Sequence, residues 1–291
     1  MKKILITGAN SYIGTSFEKW VSRYPDKYKV DTVDMKDENW RVKVFTGYDA
    51  VFHVAGIAHS STKPKYKDLY YKVNRDLAIE TAQKARAEGV KQFIFMSSIM
   101  VYGESGGINK MKVITRDQIP TPANFYGDSK LQAEEGIKTL ESDEFKVVIL
   151  RPPMIYGKGS KGNFPKLSKL ATKIALFPDI DNQRSMIYID NFCEFIKLMI
   201  DNEERGLFFP QNAEYAKTSE IVRLIAQSHG KKIRLVKVFN WLLRIFSFGI
   251  VNKVFGNLVY DQSMSEYPKG NYRIWDLEES IKRTEKVNSA S

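Results

Sequence analysis

Cysteine is almost missing from this chain. The single one, Cys193, excludes an intramolecular disulfide framework and a cysteine-only zinc site. It lies in an apolar run with Ile189, Phe192, Phe195 and Ile196 and is expected in the core. Histidine is scarce too, three residues with no close pair, so no metal is expected. Long apolar runs are also lacking. Ile4-Leu5-Ile6 stops at Thr7-Gly8, too soon for the apolar stretch of a signal peptide. Phe239 to Tyr260 is richer in apolar residues, but Arg244, Asn252 and Lys253 interrupt it before the roughly 20 that a spanning helix needs. Stable membrane insertion is therefore not expected. That segment reads as a helical cover over a pocket, as core, or as a weak membrane-surface contact. These absences point to a soluble, cytoplasmic protein.

What is present is the composition of a folded protein. The 291 residues are 43% apolar and 27% charged, enough for one large domain or two modest ones. Lys+Arg number 45 against 34 Asp+Glu, a net charge of +11. That sign favours anionic partners, yet it does not separate nucleic acid, a phosphorylated small molecule and anionic lipid from a solvated lysine-rich surface. No zinc finger, helix-turn-helix or aromatic-basic strand motif accompanies the charge, so nucleic acid is not an expected partner.

The first half alternates strand and helix patterns. Lys3 to Thr7, Tyr28 to Asp34, Asp49 to Ala55, Gln92 to Ser97 and Lys146 to Leu150 read as short buried strands. Between them lie Ile13, Phe17, Trp20 and Val21 at helical spacing, a helix from about Tyr66 to Glu88 stopped by Gly89, and another from about Asn124 to Leu140. Repeated alternation predicts an α/β fold, a Rossmann-type doubly wound parallel sheet covered on both faces. Ligands of such sheets bind beyond the carboxyl ends of the strands. After Arg151-Pro152-Pro153 the alternation fails. A basic loop runs from Gly157 to Gly162, a strand-then-helix pattern from Ser185 to Ile200, and a further strand is expected at Gly206 to Pro210. The remainder reads as helical and basic, ending in an amphipathic Leu277 to Arg283 and a frayed polar tail. The expected division is a dinucleotide-binding domain over residues 1–157 plus about 185–212, and a smaller substrate-binding domain over 158–184 and 213–291.

Thr7-Gly8-Ala9-Asn10-Ser11-Tyr12-Ile13-Gly14 sits between the first strand and helix. Gly8 permits a tight turn, Gly14 permits close helix–sheet packing, and the helix N-terminus offers free N–H groups to a pyrophosphate. Ser11 stands where a second glycine usually lets the backbone approach the phosphates. Asp34, at the end of the second strand, can accept both hydroxyls of an adenosine ribose and would repel a 2′-phosphate. NAD(H) is therefore favoured over NADP(H). A turn aspartate before Met35-Lys36-Asp37 is the plainer reading.

Tyr126 and Lys130, four residues apart, share one helical face. A free phenol, with a pKa of about 10, is a poor base at neutral pH. A neighbouring ammonium favours the phenolate, and the pair can move a proton at a substrate hydroxyl while a cofactor carries hydride. Ser97 and Ser98, at the end of the strand before this helix, place a hydroxyl where it can bind the same oxygen. Taken singly, each of these pieces is ordinary surface, core or turn.

Together with His53-Val54-Ala55-Gly56, Val73-Asn74, Val101-Tyr102-Gly103 and Leu150 to Gly157, these motifs resemble the extended short-chain dehydrogenase/reductases of the NAD-dependent epimerase/dehydratase family. The resemblance spans nearly the whole chain and implies a cytoplasmic nucleotide-sugar enzyme. It implies Tyr126 as acid/base, Ser98 as partner of the sugar oxygen, and Lys130 as holder of the nicotinamide ribose that also lowers the tyrosine pKa. It further implies Gly8, Asn10, Ser11, Tyr12, Ile13, Gly14, Asp34, Ala55, Gly56, Lys130 and Pro153 at the cofactor. Ser98, Asn163, Phe164 and Arg184 are implied at the substrate, the last as a clamp on the diphosphate. Asn74 resembles an asparagine that supports the central strands, and the two long helices resemble those that pair subunits into a homodimer. Ile99-Met100 stands where sugar dehydratases carry an Asp-Glu pair, which disfavours dehydration. Val44 falls near the expected place of an acidic adenine ligand, and Met154 replaces a frequent asparagine. A 4-epimerase that regenerates its cofactor leads, a 4-keto-reductase of a keto-deoxy sugar follows, and a non-catalytic dinucleotide sensor is the distant alternative.

Overall fold

The computed structural model describes residues 1–58, 64–108, 110–238, 240–245 and 249–286, and its elements follow the strand and helix alternation of the sequence. In chain order the first half runs β1 (Lys2–Thr7), α1 (Tyr12–Val21), β2 (Tyr28–Val33), β3 (Ala50–His53), α2 (Lys67–Tyr70), a π-helical turn (Tyr71–Asp76), α3 (Leu77–Ala87), β4 (Gln92–Met96), β5 (Val113–Ile114), α4 (Phe125–Lys138) and β6 (Lys146–Leu150). The second half runs β7 (Met154–Tyr156), α5 (Asn163–Ala171), β8 (Leu176–Pro178), β9 (Met186–Tyr188), α6 (Ile189–Asp201), β10 (Gly206–Phe208), α7 (Thr218–Ser228), β11 (Arg234–Val236), α8 (Asn240–Ile245), α9 (Gly249–Phe255), β12 (Val259–Tyr260) and α10 (Leu277–Glu285).

Six strands form the main sheet in the order β10-β6-β4-β3-β1-β2, each neighbouring pair parallel. The order reverses between β1 and β3, which opens a crevice at their carboxyl ends. Alternate strand residues fill opposite faces. Ile4, Ile6, Phe52, Ile94, Val148 and Leu150 pack with α1 and α6. Leu5, Val51, Phe93, Phe95, Val147 and Ile149 pack with α3 and α4. Cys193 is fully buried in the first of these layers.

Three expectations need correction. The helix from Tyr66 to Glu88 is not uniform. Its second quarter is the π-helical turn, and Asn74 on that turn donates to the Ile57 carbonyl at 3.0 Å and accepts from its N–H at 2.9 Å. The strand near Ser185 does not join the main sheet but pairs with β7. The later part is not purely helical, because β11 pairs with β8 and β12 with β5. These strands are two or three residues long, too short for an alternation pattern to show. In the aromatic segment, Phe255, Leu258, Val259 and Tyr260 are core, whereas Trp241 is exposed. Phe239, 246–248 and the polar tail 287–291 lie outside the described residues.

One buried ion pair fastens α4 to the sheet. Arg151, just past β6, grips Glu134 of α4 through Nη2 at 2.6 Å and Nε at 2.9 Å, and donates to the Tyr102 hydroxyl at 2.6 Å. Ser97 donates to the same carboxylate, and Tyr260 donates to the Arg151 carbonyl at 2.9 Å. The fork geometry and these further bonds satisfy charges that burial would otherwise penalise. Arg151→Met is expected to lower unfolding free energy by about 3–5 kcal/mol in urea titration, since it strands the carboxylate. Combining it with Glu134→Leu should recover most of that loss; an additive double variant contradicts the pairing.

Candidate active site

The carboxyl ends of β1, β3 and β4 and the face of α4 bring the sequence-singled residues to one edge. Gly8 has φ +111°, and a Cβ there would meet the Ala55 backbone N at 2.8 Å, so only glycine allows the ends of β1 and β3 to approach this closely. Asn10 follows in the left-handed region with φ 63°. Ser11 caps α1, its hydroxyl accepting from the Gly14 N–H at 3.1 Å. Gly14 lies against Ile6 and Val54, where a Cβ would come to 3.1 Å and 3.2 Å of their methyl groups. First-turn N–H groups have no acceptor inside a helix, which leaves those of Tyr12 and Ile13 for an anion. The side chain of Tyr12 turns away from that role. Its hydroxyl is buried against Gly157 and has no partner among the described residues.

Asp34 follows β2 and accepts from the Lys36 N–H at 3.0 Å. It is half-buried, so its second oxygen is available to a ribose. Gly8 N–H bonds the Val33 carbonyl at 2.9 Å, which sets this carboxylate beside the glycine turn. A diphosphate seat at a helix N-terminus, a neighbouring carboxylate and a glycine-lined crevice form a donor set that suits a dinucleotide.

Lys130 projects from α4 into the crevice and is 4% exposed. Its ammonium donates to the Met96 carbonyl at 2.7 Å, and a Cβ on Gly56 would lie 3.3 Å from Nζ. Burial pushes its pKa down to about 7, against a smaller upward pull from Glu134. His53, beneath it on β3, bonds Thr7 through Nδ1 at 2.8 Å; burial first and Lys130 second push its pKa down to about 3. Neutral His53 is thus a structural residue of the strand end.

Ser98 caps the short 3₁₀ turn Ile99–Tyr102, accepting from the Met100 N–H at 3.2 Å, and its hydroxyl lies close enough to the Tyr126 phenol to pull that group's pKa down. Asn124 caps α4 and so sets where Tyr126 starts the first turn. A Cβ on Gly127 would meet the Met100 carbonyl at 2.4 Å, so α4 can touch the Ser98 turn only at a glycine. The expectation that Lys130 makes this phenol unusually acidic is corrected. Burial is the largest influence and pushes the Tyr126 pKa up, while the Ser98 hydroxyl pulls it partly back. Lys130 is not among the groups that shift it.

Pro153 is buried beside this group: the Ile99 N–H bonds the Pro152 carbonyl at 3.0 Å and the Ser97 N–H bonds the Leu150 carbonyl at 2.8 Å. The residues expected at a substrate are spread more widely. Asn163 is exposed at the start of α5, after Gly162 with φ +97°. Phe164 is corrected: its ring stacks on Tyr156 with centroids 5.1 Å apart and is 3% exposed, so it belongs to the core. Arg184 bridges Ala216 and Leu258 through its backbone, and its guanidinium donates to the Val254 carbonyl at 3.3 Å. Burial pushes its pKa down. Ile99 and Met100 follow Ser98 without a carboxylate, and Val44 is exposed. Sequence reading missed Glu134 as the anchor of α4; its offset of eight from Tyr126, near two helical turns, was the available signal.

The depressed Lys130 pKa has a sign that can be measured. Between about 7 and the ordinary 10.5, the unfolded chain holds the proton that the folded chain has released, so this residue makes stability rise with pH. Lys130→Met should flatten the pH dependence of unfolding free energy across that window, by at most about 1.4 kcal/mol per pH unit. Parallel curves for the two proteins would show that the amine is not desolvated.

Residues 4–208 match the family model described as "NAD dependent epimerase/dehydratase family". Among curated proteins, the chain is 31% identical over 311 residues to a UDP-glucose 4-epimerase of Vibrio cholerae, covering 97% of this chain and 94% of that one. It is 28% identical over 251 residues to the N-acetyl-alpha-D-glucosaminyl-diphospho-ditrans,octacis-undecaprenol 4-epimerase of Escherichia coli O157:H7, covering 79% and 73%. Among solved structures, UDP-glucuronic acid 4-epimerase from Bacillus cereus in complex with NAD superposes with TM-score 0.74 at 18% identity, covering 97% and 96%. A dTDP-4-dehydrorhamnose reductase from Bacillus anthracis in complex with NADP gives TM-score 0.75 at 20% identity, covering 98% of each chain. The glycine turn of β1, the Ser98–Tyr126 contact and the buried Lys130 thus stand in a chain that belongs to the NAD-dependent epimerase/dehydratase family.

Proposed function

We propose that this protein is a nucleotide-sugar 4-epimerase of UDP-sugar type, exchanging hydride at sugar C4 with NAD(H) held in the β1–β3 crevice. The observation that carries the reading is the convergence of Ser98, past the end of β4, with Tyr126 and, one helical turn on, the buried Lys130 beside Gly56. The first turn of α1 would hold the diphosphate, Asp34 the adenosine ribose, and Lys130, beside Gly56, the nicotinamide ribose. Ala55 and Pro153 would line the ring. A nicotinamide held there would supply reversible hydride acceptance at C4.

The chain's own residues handle the proton. Tyr126 takes it from the C4 hydroxyl and later gives it back, with Ser98 holding the same oxygen in line. A phenol pushed up by burial is a ready acid but a reluctant base. Positive charge near its oxygen lowers that barrier, and Lys130 supplies it once its ammonium leaves the Met96 carbonyl for a ribose. Asn163 and Arg184 are the proposed diphosphate contacts. The carboxylate-free Ile99-Met100 supports epimerisation over dehydration. Asp34 supports NAD(H), with NADP(H) as the lesser choice. The domain division at about residue 157, a cytoplasmic site of action and a homodimer paired along α2, α3 and α4 are parts of the same proposal.

A second reading, a 4-keto-reductase, rests on Gly162-Asn163-Phe164 and Gln183 to Tyr188, which resemble the reductase branch. A panel of UDP-sugars and their 4-keto forms separates the two. Turnover without net change in reduced nicotinamide supports the epimerase, and stoichiometric loss supports the reductase. Tyr126→Phe should cut kcat by about a hundred- to ten-thousand-fold while dinucleotide binding, followed by calorimetry, is kept. Unchanged turnover sinks the assignment. Asp34→Ala should narrow the preference for NADH over NADPH in the same calorimeter; an unchanged ratio removes Asp34 from the site.

A further inference from the structure

The net charge of +11 is not spread over the molecule. Residues 157–178 carry five basic residues and 229–260 carry six, and neither stretch has an acidic one. The rest of the chain holds 34 of each sign, so the whole excess resides in these two segments. The fold brings them together. β8 of the first pairs with β11 of the second, Arg234 opposite Leu176, and Lys231 donates to the Thr172 carbonyl at 2.5 Å. All nine basic residues whose side chains are described there are exposed. Among the described residues, Lys161, Lys166, Lys169, Lys173, Lys232 and Arg234 make no ion pair. Four large apolar side chains stand exposed in the same unit: Leu170 at 42%, Leu176 at 55%, Val238 at 66% and Trp241 at 63%.

We infer that this unit is a docking surface for an anionic lipid bilayer. Clustered lysines are drawn to a negative membrane surface, and a tryptophan with aliphatic neighbours enters the headgroup region. A soluble phosphorylated ligand gains nothing from Leu176, Val238 and Trp241, and a nucleic acid could stack on Trp241 but gains nothing from the aliphatic Leu170, Leu176 and Val238. Charge and apolar exposure together fit lipid. No helix among the described residues is long and apolar enough to cross a membrane, so the contact is peripheral. This inference does not depend on the reaction.

The test is cosedimentation of the purified full chain with vesicles of phosphatidylcholine, alone or mixed with phosphatidylglycerol, alongside a single-stranded RNA control. Binding is expected only to the mixed vesicles and should be reversed by raised salt, because the attraction is screened within about 8 Å at physiological ionic strength. The triple variant Lys169→Gln, Lys173→Gln, Lys232→Gln should bind on the order of a hundredfold more weakly. Trp241→Ala should lower retention at intermediate salt. Both variants lie on the surface and should keep the wild-type melting temperature, and the salt titration needs no variant. No vesicle binding, equal binding to neutral vesicles, salt-insensitive binding, an unaffected triple variant, or retention by RNA in place of vesicles each overturns the inference.

Discussion

An ammonium group buried at the end of a parallel sheet sets the terms for the rest of the site. Lys130 reaches the crevice because α4 lies flat on β4 and β6, and α4 lies there because Arg151 grips Glu134 one turn further on. Desolvation lowers the lysine pKa to about 7, so its charge is held weakly and responds to what comes near. The Met96 carbonyl is its partner in the structure. A ribose with two hydroxyls competes well for the same donor, since it replaces one acceptor by two. The phenol of Tyr126 is raised by burial in the same environment. Tyrosine and lysine therefore respond in opposite senses to burial, each favouring its uncharged form.

Much of this was legible beforehand because local patterns govern it. The glycine turn and the pair Tyr126–Lys130 depend on backbone conformation and helical offset, which a sequence states directly. The buried apolar strands β1, β3, β4 and β6 announced themselves by composition, and the helix stop at Gly89 by residue type. Ser98 was legible through its place at a strand end.

What was not legible depends on partners distant in sequence. The Glu134–Arg151 pair spans 17 residues, and its value lies wholly in the burial of both groups. Direction of the lysine ammonium is a matter of which carbonyl lies nearest, which no spacing encodes. Phe164 carried the same uncertainty: a buried ring and a ligand-facing ring look identical in a string of letters. The π-helical turn arises because Asn74 must meet Ile57 from both sides, a tertiary demand overriding a uniform helix.

The short strands β8 and β11 matter beyond their size. Nine exposed like charges held in one unit repel one another, and self-repulsion favours a looser state. Local contacts counter it: the Phe177 and Phe255 rings lie tilted with centroids 5.5 Å apart, and Asp179 draws Lys237 to 4.0 Å. Helix α5 joins this unit to the reaction side of the protein. Asn163 begins it and Leu170 lies near its end, with Lys161 exposed just before it and Lys166 and Lys169 exposed along its length.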